Sequence, residues 1–201
     1  MKDKDIVSSN ERFNNPDFAK RYSAKHLKMS INFANKIAAK LNKKNFKERK
    51  ILDSGCGSGF TIIELAKKFP SSEFVGIDLS DPLLEIANDK IKCEKLVNRI
   101  KFLKADVQDV PFPNSYFDFI ININMLHLIK SPVKMLNEIE RVLKSDGFFF
   151  ITDLRKSILG FLEKEIKSVF TAKEAEKIIA KSNLSKGEFS SSLIWWEYQH
   201  I

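Results

Sequence analysis

Residues 51 to 60 read ILDSGCGSGF: an apolar pair, an acid at Asp53, and glycines at positions 55, 57 and 59. An acid that closes an apolar run is costly to bury unless it meets a partner. Glycine at alternate positions strips the following turn of side chains, so that a ligand can lie against bare main chain. Two phosphate-binding patterns use such turns, and neither fits. A dinucleotide site needs GxGxxG, which continued from Gly57 would place glycine where Ile62 stands. A phosphate loop needs GxxxxGK and then Ser or Thr, and no lysine follows Gly59. The residues fit a ligand that offers no phosphate to grip and carries positive charge.

The elements that would position this turn alternate in type. Apolar residues at three- and four-residue steps, among them Leu27, Ile31, Ala34, Ile37, Ala38 and Leu41, predict an amphipathic helix over residues 17–42. KILDSG then predicts a strand, FTIIELAKKF a helix closed by Pro70, and EFVGIDL a second strand. DPLLEIANDKIKC predicts a helix with Asp81 as cap and Pro82 in its first turn. RIKFLKADV and YFDFIININML predict strands three and four, and SPVKMLNEIERVLK a helix capped by Ser131 and stopped before Gly147. FFFITDL predicts a fifth strand, residues 157–170 and TAKEAEKIIAKSNL two helices, the second capped by Thr171, and GEFSSSLIWWEYQHI one or two last strands. Strands alternating with helices of ten or more residues mean βαβ units and a doubly wound, mostly parallel α/β sheet. No internal repeat or linker interrupts the pattern, and a chain of 201 residues is expected to form a single domain.

The run LDSGCGSG resembles the first motif of the class I S-adenosylmethionine (SAM)-dependent methyltransferases, a Rossmann-like family. GIDLSDPLLEIA, KADVQDVPFPNSYFDFIININMLHLI and LNEIERVLKSDGFFFITDL are similar to its later segments in the same order. The likeness is close over residues 45–155, looser over 156–201, and residues 1–44 match only as a variable N-terminal helical lid. It implies a seven-stranded sheet, SAM as cofactor and S-adenosylhomocysteine as product. Residue by residue, it implies that Asp53 lies under the charged amino-acid end of SAM and that Gly55, Gly57 and Gly59 admit that end to the main chain. Asp78 would accept the ribose hydroxyls, and it stands 23 residues beyond Gly55, near the roughly 20-residue separation of a ribose-binding acid. Leu79 would lie against adenine, Asp106 would take its amino group unless it only caps a turn, Val107 would offer its backbone N–H, and Asn122 would border the methionine moiety.

Methyl transfer by in-line displacement asks a protein chiefly to align two reactants and exclude water, worth roughly 7–11 kcal/mol in the best intramolecular cases. A base is needed only where the acceptor must lose a proton. His127, after strand four, titrates in a suitable range, although a histidine packed behind the cofactor would look the same. Tyr22 could close over the methyl group or belong to a helix face, and Arg155 could pair with an anionic acceptor or stay solvated. His26 and His200 have no assigned role. NINM stands after strand four in place of the Asn/Asp-Pro-Pro-aromatic motif of enzymes that methylate exocyclic amino groups, and the glutamate pair of arginine methyltransferases is absent. Without an insertion after strand five, a lid must come from residues 1–44 and from 157–170, whose apolar side chains favour a small-molecule acceptor.

Residues 1–50 hold 14 Lys and Arg against 5 Asp and Glu, while residues 51–201 hold 20 against 21. The whole formal excess of +8 therefore sits in the N-terminal quarter. Such a segment could meet a polyanion, but no interleaved aromatics accompany the lysines, so nucleic acid is possible and not favoured. Cys56 and Cys93 show neither CxxC spacing nor a clustered histidine, so no disulfide or metal site is expected. No stretch reaches the roughly 20 apolar residues of a membrane span, and the first residues lack the apolar core of a signal peptide; no membrane partner and a cytoplasmic location are expected. Three readings stay open: a small-molecule methyltransferase, an RNA or protein methyltransferase using the basic segment, and a non-catalytic SAM-binding scaffold.

Overall fold

A computed structural model of the chain describes residues 11–46, 49–156, 169–184 and 186–201. Its elements are α1 (Pro16–Lys43), β1 (Lys50–Ser54), α2 (Phe60–Lys68), β2 (Glu73–Asp78), α3 (Asp81–Cys93), β3 (Ile100–Lys104), β4 (Phe117–Ile123), a 3-10 turn (Leu126–Leu128), α4 (Pro132–Val142), β5 (Leu143–Leu154), α5 (Ala172–Ile179), β6 (Glu188–Ser191) and β7 (Trp195–His200). The strands form one seven-stranded sheet in the order β3-β2-β1-β4-β5-β7-β6. The first five are parallel, and β7 and β6 close the sheet as an antiparallel hairpin. The expected doubly wound α/β architecture is therefore present. β1 has β2 on one side and β4 on the other, so the strand order reverses beside the glycine turn, where a doubly wound sheet opens a crevice at its carboxyl edge.

The two-residue period of the strands splits the core. Ile51, Phe119, Ile121 and Phe150 face α1, α2 and α3, whereas Leu52, Ile120, Phe149 and Ile151 face α4 and α5. α1 begins with Asn15, whose side chain accepts from Phe18 N at 2.9 Å, and it buries Phe33, Ala34, Ile37, Ala38 and Leu41 along one stripe. α5 opens with a full capping box between Thr171 and Glu174.

Three local expectations need correction. The cap of α3 is Ser80, whose Oγ accepts from Leu83 N at 3.3 Å; Asp81 enters the first turn, where its charge suits the helix dipole. Ser131 makes no side-chain cap bond, and α4 ends at Val142. β5 takes over at once because Leu143 pairs with Phe117, and three extra residues then bulge out before Phe148 meets Phe119. Gly147 lies within this strand. The helix expected at 157–170 falls mostly on residues outside the described ones.

Gly59 ties the motif to the core. Its φ is +70°, and a Cβ there would come 2.4 Å from Phe102 Cζ and 2.7 Å from Phe102 Cε1. Left-handed backbone with a side chain costs about 1–2 kcal/mol and overpacking about 1–3. Gly59→Ala is therefore expected to lose roughly 2–5 kcal/mol of stability, measured as a lower urea midpoint at unchanged slope.

Candidate cofactor site at the switch point of the sheet

A carboxylate stands at the carboxyl end of each of β1 and β2, Asp53 just before the last residue of β1 and Asp78 as the last residue of β2. Asp53 pairs in register with Gly76, so Asp78 lies two residues further along the neighbouring strand. Asp78 is held by backbone donors: Gly57 N to Oδ2 at 2.8 Å and Ser80 N to Oδ1 at 3.0 Å. Gly57 adopts φ +54°, a left-handed turn that aims its N–H at this carboxylate. A Cβ on Gly57 would meet only Leu83 Cδ1, at 4.0 Å, and otherwise point into open space.

Asp53 is 3 % exposed. Burial, and secondly the charge of Asp78, push its pKa up to about 8. Asp78 is raised too, by burial, although bonds from Ser80, Gly57 and Leu79 oppose the shift. The Cys56 thiol is raised for the same two reasons, burial first and then the carboxylates. Nearby, Asn124 adopts φ +58° at the end of β4, and its Oδ1 is buried with no hydrogen-bond partner. Desolvated carboxylates and an unpartnered amide oxygen form a wall that favours positive charge and further hydrogen-bond donors.

A cavity of about 500 Å³ opens beside this wall. Of the residues singled out in the sequence, Gly55, Gly57, Asp78, Leu79, Asp106, Val107 and Tyr22 line it. Leu79 is 43 % exposed, an apolar side chain awaiting a cover. Asp106 also holds a turn, accepting from Gln108 N at 2.8 Å. Asp53, Gly59, Asn122, His127 and Arg155 are not among the lining residues. Asn122 is fully buried and donates to Ser54 O at 2.7 Å, so its side chain braces β1 from the α4 side of the sheet. His127 is held from behind: its Nδ1 lies 2.6 Å from Asp153 Oδ1, and its backbone N–H donates to Asp153 Oδ2 at 3.0 Å. That grip fixes the 3-10 turn whose neighbours Met125 and Leu128 face the cavity. Arg155 donates to Ser192 O at 2.6 Å, at the hairpin end of the sheet.

Sequence reasoning missed Asn124, Met125, Ser80 and Phe13. Asn124 was legible in principle, because asparagine tolerates left-handed backbone after a strand. Phe13 was not, since only the fold brings its carbonyl to accept from Ser80 Oγ at 2.7 Å.

The profile of a methyltransferase domain family matches residues 45–199. The chain belongs to this methyltransferase domain family. The match runs past residue 155, so the segment after β5 is part of the same family domain. A fatty-acid O-methyltransferase from Mycolicibacterium smegmatis is 31 % identical over 107 residues, which are 53 % of this chain and 38 % of that protein. A U6 snRNA (guanine-N(2))-methyltransferase from Mus musculus is 37 % identical over 101 residues, 48 % of this chain and 19 % of that protein. The chain thus spans well under half the length of these curated relatives. The crystal structure of a SAM-dependent methyltransferase from Aquifex aeolicus superposes with a TM-score of 0.74 over 92 % of this chain and 97 % of that one, at 21 % identity, and so shares the fold.

SAM is the cofactor of the methyltransferase family, and the wall described above suits it. Its sulfonium and ammonium groups bring positive charge to the carboxylates, Asn124 lines the same cavity, and Gly57 leaves room that a side chain would take. Without a cation, the raised pKa of Asp53 has a consequence for stability. An acid whose folded pKa exceeds its unfolded value keeps a proton that the unfolded chain has released, so stability falls as pH rises from about 4 to about 8. The slope is at most about 1.4 kcal/mol per pH unit. Asp53→Asn is expected to flatten that part of the curve in ligand-free protein, measured by urea unfolding at both ends of the window.

Proposed function

We propose that this methyltransferase-family chain transfers the methyl group of SAM to a small, predominantly apolar acceptor. The observation that carries the cofactor half is the carboxylate pair Asp53 and Asp78 beside the bare main chain of Gly57. Asp78, pinned by two backbone donors, keeps lone pairs turned to the cavity for the ribose hydroxyls. Asp53 lies deeper and balances positive charge. Leu79 and Val107 cover the adenine, with Asp106 at its polar edge. When bound, SAM supplies an electrophilic methyl group on sulfur.

The acceptor half rests on the other wall. Phe13, Tyr22, Met125, Leu128 and Ile129 line the same cavity, and the Phe13 and Tyr22 rings pack edge to face at 5.0 Å. These groups exclude water and align an acceptor by contact, an alignment that contributes more than any single proton transfer. The fatty-acid O-methyltransferase among the relatives fits an acceptor of this kind. His127, gripped by Asp153, acts as a positioning residue for the Met125–Leu128 wall.

Methylation of RNA is the second reading, favoured by the U6 snRNA relative and the basic N-terminal segment. Against it, the exposed large apolar residues among the described ones are Leu27, Leu79, Val97, Leu193 and Ile194, none of them aromatic, where a single-stranded nucleic acid calls for stacking rings.

Two substitutions separate the halves of the site. Asp78→Ala is expected to weaken SAM binding at least 100-fold in calorimetric titration while the unfolding midpoint stays near that of the parent; retained tight binding would sink the ribose assignment. Tyr22→Ala is expected to leave SAM affinity within a few-fold and to raise KM for a medium-chain fatty acid in a methyl-transfer assay.

A further inference from the structure

The basic charge of the N-terminal quarter has a definite place in the fold. α1 carries seven Lys and Arg against one acid, Asp17. Arg21, Lys25 and Lys28, at the i, i+4, i+7 spacing of one helix face, are all exposed. Lys43 continues that face, about 33 Å from Arg21 at 1.5 Å per residue. Lys36, between them, is paired with Glu197. The adjoining stripe of the same helix is Phe18, Tyr22 and Met29, each half-buried, and Tyr22 lines the cavity. A row of cations thus runs directly beside the aromatic wall of the acceptor side. The opposite stripe, Phe33, Ala34, Ile37 and Leu41, is packed in the core, so this helix presents its charge without inserting.

We propose that this exposed face of α1 docks on an anionic lipid surface and turns the aromatic mouth of the cavity toward the bilayer, from which an apolar acceptor enters. The proposal rests on the apolar-acceptor reading above. Charge complementarity favours the occupant: a basic helix with a neighbouring apolar stripe is the pattern of membrane-surface contact, and each Lys or Arg held near an anionic leaflet strengthens binding about fivefold. A nucleic-acid occupant would call for stacking rings among the cations, whereas the residues interspersed on this face are Ala24, Asn32 and Asn35. No described helix is long and apolar enough to cross a membrane, so the contact is peripheral.

Co-sedimentation of the full chain with vesicles tests this. Binding is expected to vesicles of phosphatidylcholine mixed with phosphatidylglycerol and not to phosphatidylcholine alone. It should be lost at about 1 M salt, where the screening length falls to about 3 Å. The triple variant Arg21→Glu, Lys25→Glu, Lys28→Glu is expected to lose at least 100-fold in vesicle affinity with SAM affinity unchanged. Lys68→Glu, Lys95→Glu, Lys181→Glu, an equal change of net charge at exposed positions elsewhere, should lose far less. Equal losses from both triples would overturn the proposal, as would tighter binding to a single-stranded RNA oligonucleotide than to the anionic vesicles. A chain that binds SAM and ignores anionic vesicles would also overturn it, while failure to bind SAM would instead count against the cofactor reading.

Discussion

Two carboxylates, Asp53 and Asp78, close neighbouring parallel strands within reach of each other's field, and the sheet must desolvate both. The surroundings answer each differently. Asp78 receives backbone N–H groups from Gly57 and Ser80, which hold it as an acceptor at the cavity edge. Asp53 is buried beside that charge, and burial first and Asp78 second push its pKa up to about 8. Such a pair costs stability in the ligand-free protein, a cost that the positive charge of the proposed cofactor would offset. The left-handed turn at Gly57 exists to serve it, and α2 and α3 start where that turn and Ser80 release the chain.

Much of this was legible in sequence because the governing rules are local. Strand–helix alternation gave the doubly wound sheet, and an acid before alternate glycines indicated a cationic ligand without phosphate. The three glycines, however, have different surroundings that spacing alone does not reveal. A Cβ on Gly55 would strike the Met125 side chain and one on Gly59 the Phe102 ring, while one on Gly57 would meet open space. Asn122 and Asn124 were separable only by where β4 ends: Asn122 still lies in the strand and braces Ser54, whereas Asn124 has turned left-handed into the cavity wall. The twelve-residue β5 was illegible for a related reason, since its bulge is set by pairing with Phe117 and Phe119 on another strand.

The N-terminal helix joins two functions that sequence pattern kept apart. Its apolar stripe completes one face of the core, its Tyr22 lines the cavity, and Arg21, Lys25 and Lys28 are exposed. Ser80 links this segment to the cofactor wall, because its hydroxyl donates to Phe13 O while its backbone N–H donates to Asp78. Phe13 and Asp78, which both line the cavity, therefore share Ser80 as a hydrogen-bond partner.

The claim that the carboxylate wall is completed by a cation is tested most directly by counting protons. Calorimetric titration with SAM near neutral pH, repeated in buffers of different ionisation heat, reads the protons released on binding. The account predicts release approaching one proton per SAM, because the ligand's charge pulls the pKa of Asp53 down from about 8. It also predicts that Asp53→Asn abolishes the release and that S-adenosylhomocysteine, lacking the sulfonium charge, releases less. Tight SAM binding without proton release, or the same release from Asp53→Asn, would contradict it.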